Sequence, residues 1–366
     1  MLKFAIFSSL ISQGHDVFDA GIVPTPALQL YSKMHGNFGI MVTASHNPPE
    51  YNGIKVIGKD GTEIDERDEN EIEEIFYSEN FRKENYASLG NYMMVNDVNM
   101  NYIESVVGKV NREIIRESKI SIVLDCSNGS SIFTSPEILK ILGVKYTTIN
   151  CNRDGLFISH NPEPKEENLK DLSYLTKNNF SFGAAHDGDA DRVAFVDENG
   201  SFVYGDKILA LFAKEIVSKR KGYIVLPVSA TMAVEEIAKM YGSKVIYTRV
   251  GAPIVARKMI ETGALFGGED NGGYIFSDHQ YCRDGAMALA KLIEIVAKYK
   301  RPLSEIIKDL PEYYQKKSSV NVKKEKIPYI MENLKGELKG KNFIDMDGIK
   351  IIEGESWILI RPSGTE

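Results

Sequence analysis

Short apolar runs alternate along the chain with longer segments in which apolar residues recur at helical spacing. The short runs predict strands over residues 38–42, 120–124, 182–185, 223–228 and 244–247. The longer segments predict helices over residues 135–142, 208–217, 232–240 and 287–299. Strand, loop and helix repeated in this way indicate related α/β domains with mixed, mostly parallel sheets.

The two ends of the chain depart from this pattern. Residues 1–11 imitate a short signal peptide, but Ser8 and Ser9 interrupt the apolar stretch and no small-residue cleavage site follows. We therefore predict an ordinary helix that leads into a strand. Near the other end, residues 349–352 and 357–360 flank a polar turn and predict an antiparallel hairpin, preceded by a helix near 327–334.

Polar stretches near residues 108–118, 200–206 and 311–326 are plausible seams between domains. They divide the chain into three α/β domains and a smaller α+β domain. The predicted domains are residues 1–108, 109–205, 206–312 and 313–366.

Composition narrows the possible functions. With 43% hydrophobic and 26% charged residues, the 366-residue chain resembles ordinary globular proteins and can fill several cores. Its net charge of −7 argues against a nucleic-acid partner, although a local basic pocket can still bind an anionic small molecule. No apolar run approaches the roughly 18 residues of a membrane span, so we expect no membrane partner.

The three cysteines are Cys126, Cys151 and Cys282. Because they are few, odd in number and far apart, they predict neither a disulfide framework nor a CxxC metal site. This usage favours a cytoplasmic protein.

The first stretch with chemical potential is Thr43-Ala44-Ser45-His46-Asn47-Pro48-Pro49, followed by Asn52-Gly53-Ile54-Lys55. It comes directly after a predicted strand, where open α/β sheets bind ligands. Its prolines and glycine make a stiff, irregular loop that can hold the Ser45 hydroxyl forward, with His46 and Lys55 near it. The alternative is a plain polar turn.

The second stretch places Asp187, Asp189 and Asp191 at alternate positions, followed by Arg192. Three carboxylates this close are unfavourable without a cation, and they leave positions open for a phosphate oxygen, which suits Mg²⁺. An EF-hand is excluded because Arg192 stands where that loop needs glycine and because both flanks predict strands. Three solvated carboxylates in a turn remain the alternative.

Two weaker stretches follow. Residues 267–273 form a glycine-rich loop in which Glu269 and Asn271 can present acceptors and donors to sugar hydroxyls, with Arg283 downstream. The last residues combine a guanidinium, two hydroxyls and a glycine, which together suit a phosphate. These residues are Arg361, Ser363, Gly364 and Thr365.

The four stretches, in this order and over essentially the whole chain, resemble the α-D-phosphohexomutase superfamily, which includes phosphomannomutase, phosphoglucomutase and phosphoglucosamine mutase. The glycine-rich loop looks most like the archaeal-type phosphoglucosamine/phosphomannomutase branch. The resemblance implies three related α/β domains and an α+β domain around one central cleft. It implies a phosphohexomutase that interconverts hexose 6-phosphate and hexose 1-phosphate through a phosphorylated Ser45 and a hexose 1,6-bisphosphate, with Mg²⁺ as cofactor.

The resemblance also implies the role of each residue. Asp187, Asp189 and Asp191 would hold Mg²⁺ together with an oxygen on Ser45, and Arg192 would stabilise the transferring phosphoryl group. His46 and Lys55 are the acid and base candidates. The sugar would be bound by Glu269, Asn271 and Arg283. The phosphate that is not reacting would be bound by Arg361, Ser363, Gly364 and Thr365. The partner is a small-molecule sugar phosphate, and the sequence leaves a homodimer open.

The chain departs from the family at both ends. Family members usually begin with a further strand and a Gly-x-Arg-Gly-type loop, and they continue beyond the equivalent of Glu366. We therefore expect a chain truncated at both ends, poorly active as written, and less active than one extended at both ends. A non-catalytic sugar-phosphate-binding remnant and a metal phosphatase are the competing hypotheses. A cleft that excludes water argues against the phosphatase, because a leaky site would hydrolyse the phosphoserine.

Overall fold

The computed structural model describes residues 1–81, 83–177, 179–338, 340–354 and 356–362. The helices are α1 (Leu2–Ser12), α2 (Thr25–His35), α3 (Glu66–Ser78), α4 (Val98–Val107), α5 (Arg112–Glu117), α6 (Ser135–Leu142), α7 (Lys170–Thr176), α8 (Gly205–Val217), α9 (Met232–Met240), α10 (Ala252–Thr262), α11 (Gly285–Tyr299), α12 (Leu303–Lys308) and α13 (Ile327–Glu337). The strands are β1 (Val17–Asp19), β2 (Gly39–Val42), β3 (Ile54–Ile57), β4 (Tyr92–Met94), β5 (Ser121–Asp125), β6 (Lys145–Ile149), β7 (Phe182–His186), β8 (Val193–Asp197), β9 (Phe202–Val203), β10 (Tyr223–Pro227), β11 (Lys244–Thr248), β12 (Phe266–Gly268), β13 (Tyr274–Phe276), β14 (Phe343–Asp345), β15 (Ile349–Glu353) and β16 (Ser356–Ile360). Each strand and helix predicted above is present, with bounds that differ by at most a few residues.

The five-stranded sheet has the order β6-β5-β7-β8-β9. The first three strands are parallel, and β8 and β9 return antiparallel. Successive side chains of β5 enter different cores: Ile122 and Leu124 join the largest cluster, whereas Val123 packs with Leu172 of α7. Because side chains alternate across a strand, a continuous apolar run is buried on both faces of the sheet.

The four-stranded sheet repeats the same plan. Its order is β11-β10-β12-β13, with three parallel strands followed by one antiparallel strand. In both sheets the third parallel strand leads into a hairpin, so its turn lies at the carboxyl edge where α/β proteins bind ligands. The predicted class of related α/β units with mixed sheets is confirmed.

Residues 1–108 contain two small sheets. Strand β1 pairs in parallel with β4, and β2 pairs antiparallel with β3. The β2–β3 hairpin corresponds in form to the hairpins of the two larger sheets. Helix α4 packs against α2, α6 and α11, and so ties this part of the chain to the larger sheets.

The last strands form a three-stranded antiparallel sheet in the order β14-β15-β16, preceded by α13. The predicted hairpin is confirmed, with Ile349 opposite Ile360. Among the described helices, none is both long enough and apolar enough to cross a membrane.

The prediction that the cysteines form no disulfide is wrong. Cys126 and Cys151 are bonded to each other, and Cys282 is buried as a free thiol. The two bonded residues follow β5 and β6, which are adjacent parallel strands in register, with Asp125 opposite Ile149. The two cysteines are far apart in the sequence, but the pairing of β5 with β6 brings them together.

Candidate active site

The Ser45 loop joins β2 to β3 and is closed at its base by a backbone hydrogen bond from Thr43 to Gly53. Ser45 has a φ of 55°, and its N–H donates to the Thr43 hydroxyl at 2.8 Å. This left-handed conformation is uncommon outside glycine and often marks functional sites. His46 Nδ1 lies 3.4 Å from Ser45 Oγ.

The aspartate loop joins β7 to β8 and is almost completely buried. Asp187, Asp189 and Asp191 are at most 3% exposed, and their ligand oxygens all lie within 4.8 Å of one another. The backbone N–H of Arg192 donates to Asp187 Oδ1 at 3.2 Å. A single turn thus brings three acidic groups together inside the protein.

The two loops meet although 142 residues separate them. Ser45 Oγ lies 3.4 Å from Asp187 Oδ2. Gly188 allows the approach, because a Cβ at this position would lie 2.5 Å from the Ser45 carbonyl oxygen. Thr25, at the start of α2, connects that helix to the aspartate loop: its hydroxyl donates to Asp189 Oδ2 at 2.7 Å, and its backbone N–H donates to the Asp189 carbonyl at 3.0 Å.

Two cations lie against the aspartates. Lys55 Nζ donates to Asp189 Oδ2 at 2.9 Å and to Asp191 Oδ2 at 3.0 Å, and Arg283 Nη2 donates to Asp191 Oδ2 at 2.6 Å. Arg192 is more distant, with its Nε 3.9 Å from Asp187 Oδ2. Buried charges of both signs therefore share one small volume, in which their interactions are strong.

These neighbours shift the pKa values of the buried groups. Burial, together with the carboxylates of Asp191 and Asp189, raises the pKa of Asp187 well above its usual range. Burial would also raise the pKa of Asp191, but Arg283 and Lys55 outweigh it and hold that pKa below its usual range. Burial and the Arg192 guanidinium lower the pKa of His46. The Asp187 carboxylate is the group that most lacks a positive partner.

The aspartate loop fits a hard divalent cation. Within the described part of the chain, Asp189 Oδ1 and Asp191 Oδ1 are buried without a hydrogen-bond partner, as is Arg192 Nε. Unpaired buried oxygens of this kind are costly unless a ligand satisfies them. An all-oxygen donor set that leaves positions free suits Mg²⁺.

The glycine-rich loop joins β12 to β13 and reaches the aspartate loop. The backbone N–H of Val193 donates to the Gly272 carbonyl at 3.0 Å, and Arg283 Nη1 donates to Glu269 Oε2 at 3.3 Å. Arg283 therefore bridges Glu269 and Asp191. The Glu269 carboxylate is buried, whereas the Asn271 side chain is exposed to solvent.

Arg361 follows β16, and its Nη2 lies 3.4 Å from Asp347 Oδ2. It is half-buried, so part of its guanidinium remains accessible. The other three residues predicted to bind phosphate, Ser363, Gly364 and Thr365, lie outside the described residues.

Sequence reasoning missed two residues at the junction of the loops. Thr25 contacts Asp189, and Gly188 makes room for Ser45. The Pro24-Thr25-Pro26 stretch marks a helix start, but nothing in it indicates a partner 164 residues away. Gly188 belongs to the aspartate motif, yet its need to be glycine appears only when the Ser45 loop is in place.

Three family models match consecutive parts of the chain. They describe the α/β/α domains I, II and III of phosphoglucomutase/phosphomannomutase and match residues 1–83, 100–200 and 204–314. The Ser45 loop lies in the first match, the aspartate loop in the second and the glycine-rich loop in the third.

Similar proteins carry related names. The whole chain is 43% identical to "Phosphoglucomutase/phosphomannomutase" of Thermococcus kodakarensis and covers 81% of it. It is 39% identical to "Probable phosphoglucosamine mutase" of Methanosarcina acetivorans and covers 82% of that protein. Among solved structures, a phosphoglucomutase/phosphomannomutase family protein from Burkholderia thailandensis superposes with a TM-score of 0.87 at 28% identity, over all of this chain and 80% of the other. The chain therefore belongs to the α-D-phosphohexomutase superfamily and is a hexose phosphate mutase.

Proposed function

We propose that this mutase works through a phosphorylated Ser45 and passes its phosphoryl group to a hexose monophosphate, forming a hexose 1,6-bisphosphate. The observation that carries the proposal is the 3.4 Å approach of Ser45 Oγ to Asp187 Oδ2. A hydroxyl held against an acidic cage with unpaired oxygens is where a phosphoryl group and a divalent cation can share ligands.

Mg²⁺ is the proposed cofactor, and Asp187, Asp189 and Asp191 would hold it together with an oxygen at Ser45. When bound, Mg²⁺ neutralises charge on the oxygens of the transferring phosphoryl group. The support is the all-oxygen donor set and the two unpaired carboxylate oxygens.

Side chains of the protein would stabilise the remaining charge on the phosphoryl oxygens and transfer the proton of the sugar hydroxyl. Arg192 Nε has no hydrogen-bond partner among the described residues, so its N–H can donate to a phosphoryl oxygen. As the P–O bond to Ser45 Oγ breaks, a P–O bond to the sugar hydroxyl forms. His46 is the candidate to accept the hydroxyl proton, and Lys55, an ammonium paired with Asp189 and Asp191, is the candidate to donate a proton to the Ser45 oxygen as it leaves.

The second half of the cycle returns the other phosphoryl group to Ser45 after the bisphosphate turns end for end. The sugar must be held in both orientations, and a carboxylate and an amide that accept and donate suit this better than a one-way pocket. Glu269, Asn271 and Arg283 would hold the sugar. Arg361, with Ser363, Gly364 and Thr365, would hold the phosphate that is not reacting and position the hydroxyl.

The hexose is proposed to be glucosamine, mannose or glucose. The relatives are named as phosphoglucosamine mutase and as phosphoglucomutase/phosphomannomutase. They lend no support to a non-catalytic remnant. Turnover assays on the three hexose 6-phosphates, with the matching bisphosphate and Mg²⁺, would rank the substrates by kcat/KM.

The test of the mechanism is Ser45→Ala. We expect kcat to fall at least about a thousandfold, as for loss of other nucleophiles, with substrate binding retained. Ser78→Ala is the matched control, because Ser78 lies exposed at the end of α3. A chelator should abolish wild-type turnover and added Mg²⁺ should restore it. Full activity in Ser45→Ala would remove Ser45 from the mechanism.

A further inference from the structure

Two consecutive backbone N–H groups connect the glycine-rich loop to the last sheet. The segment after β11 carries both: Val250 N–H donates to Asp347 Oδ2 at 2.9 Å, and Gly251 N–H donates to Glu269 Oε1 at 3.3 Å. The two N–H groups belong to adjacent peptide units joined at the Val250 Cα, so they lie close together along the backbone. The Asp347 carboxylate is thereby held near Glu269, with one short backbone segment between the two hydrogen bonds.

Asp347 also contacts Arg361. It stands in the turn between β14 and β15, with a φ of 53°, and its Oδ2 lies 3.4 Å from Arg361 Nη2. Arg361 packs closely over the same turn, since a Cβ on Gly348 would lie 2.7 Å from its Cβ. A guanidinium has five N–H donors in a rigid fork, so an aspartate that engages one nitrogen leaves the rest for a phosphate.

We propose that Asp347 is a positioning residue that orients Arg361 for the non-reacting phosphate and fixes its distance from Glu269. The inference rests on the proposed function, in which Arg361 binds that phosphate and Glu269 the sugar. Its ligand is the phosphate monoester of a hexose. The phosphate and the hydroxyls would then be held at a set separation, whichever phosphate is reacting.

The last sheet has a separate attachment that does not need Asp347. Lys350 is 4% exposed, and its Nζ donates to the Val228 carbonyl at 2.8 Å. The same ammonium lies 4.8 Å from the ring centre of Tyr247 and 4.3 Å from that of Trp357. These contacts join the three-stranded sheet to the four-stranded sheet, so loss of the Asp347 charge should leave the docking intact.

The test compares Asp347→Asn with Asp345→Asn. An asparagine can still accept from Val250 but loses the charge that attracts Arg361. Asp345 lies two residues away, and its carboxylate pairs with Lys335. With glucosamine 6-phosphate as the probe, we expect Asp347→Asn to raise KM, and Kd by calorimetry, about three- to tenfold. The change in kcat should be less than about twofold, and Asp345→Asn should match the wild type.

A double mutant separates positioning from a general effect on folding. If Asp347 acts through Arg361, adding Asp347→Asn to Arg361→Ala should raise Kd no further. An additive increase would overturn the inference, and so would an unchanged or lower Kd in Asp347→Asn alone. Asp347→Ala serves as a second variant, with melting temperature as the check on folding.

Phosphorylation of Ser45 in the same proteins distinguishes the two proposals. A wild-type protein that gains no phosphoryl group from a hexose 1,6-bisphosphate would contradict the proposed function. Normal phosphorylation with equal Kd in the wild type and Asp347→Asn would contradict only the role of Asp347.

Discussion

The aspartate loop and the Ser45 loop are both hairpin turns, but they stand on very different sheets. The aspartate loop leaves β7, which is buried at all five positions within the five-stranded sheet. The Ser45 loop leads into β3, which has one buried residue of four, and among the described strands β2 and β3 form a sheet of two. In the five-stranded sheet, β5 pairs with β6 on one side and β7 on the other. In residues 1–108, no described strand joins the β1–β4 sheet to the β2–β3 sheet.

The difference teaches how the site is built. Regions with many buried contacts open rarely, and regions with few open more easily. The aspartates are therefore the preorganised half of the site, whereas the Ser45 loop is held mainly by its contacts with that half. Lys55 and Gly188 supply these contacts, and Thr25 separately connects α2 to the aspartate loop. Damage to any of the three should harm catalysis more than it harms folding.

The largest expected effect comes from the core beneath the aspartates. Phe195 of β8 is fully buried and packs edge-on against Phe182 at 6.1 Å between ring centres. Phe195→Ala should lower the free energy of unfolding by about 3–5 kcal/mol, through lost burial and a cavity. Phe18→Ala in β1, where Phe18 is 45% exposed, should cost less than about 1 kcal/mol. Urea denaturation measures the free energy of unfolding of both variants. Equal decreases would contradict the claim that the five-stranded sheet is the more stable of the two regions.

The next effect concerns the contact between the two loops. Gly188→Ala would place a methyl group against the Ser45 carbonyl and push the serine away from the aspartates. Because small misplacements of reacting groups are costly, kcat/KM should fall about a hundredfold. The control is Gly336→Ala on α13, where a Cβ would meet nothing within 4 Å. A Gly188→Ala enzyme with wild-type kcat/KM would show that the approach is not required.

A smaller effect is expected at Thr25. Thr25→Val keeps the shape but removes the hydrogen bond to Asp189, which is typically worth about 1 kcal/mol. We expect a decrease of about fivefold in kcat/KM, measured at saturating Mg²⁺. Thr262→Val is the matched control, since the Thr262 hydroxyl donates to the Lys258 carbonyl within the same helix, α10. If both variants lose activity equally, Thr25 has no special role.

Local patterns predicted the regular elements well. Helices α6 and α9 begin and end at the predicted residues, because their apolar spacing and flanking residues are local signals. The aspartate loop could be located because three carboxylates in one turn need a partner wherever the turn lies. Its proximity to Ser45 was inferred from a family resemblance, and no rule of spacing would have given it.

What the sequence did not reveal depends on strand order and on approach between distant segments. Cys126 and Cys151 become neighbours only because β5 and β6 are adjacent. Arg283 was predicted to contact the sugar, and its simultaneous pairing with Asp191 and Glu269 requires two loops to meet. Asp347 has no sequence signal at all, because its two partners lie in the β11 segment and after β16.

The most direct measurement is the phosphorylation site itself. The protein is incubated with a hexose 1,6-bisphosphate and Mg²⁺, digested, and its peptides are analysed by mass spectrometry. The mass of one phosphoryl group is expected on the peptide containing Ser45, and it should be absent from Ser45→Ala. A phosphoryl group found on another residue, or none found while the enzyme turns over, would contradict the central role of Ser45.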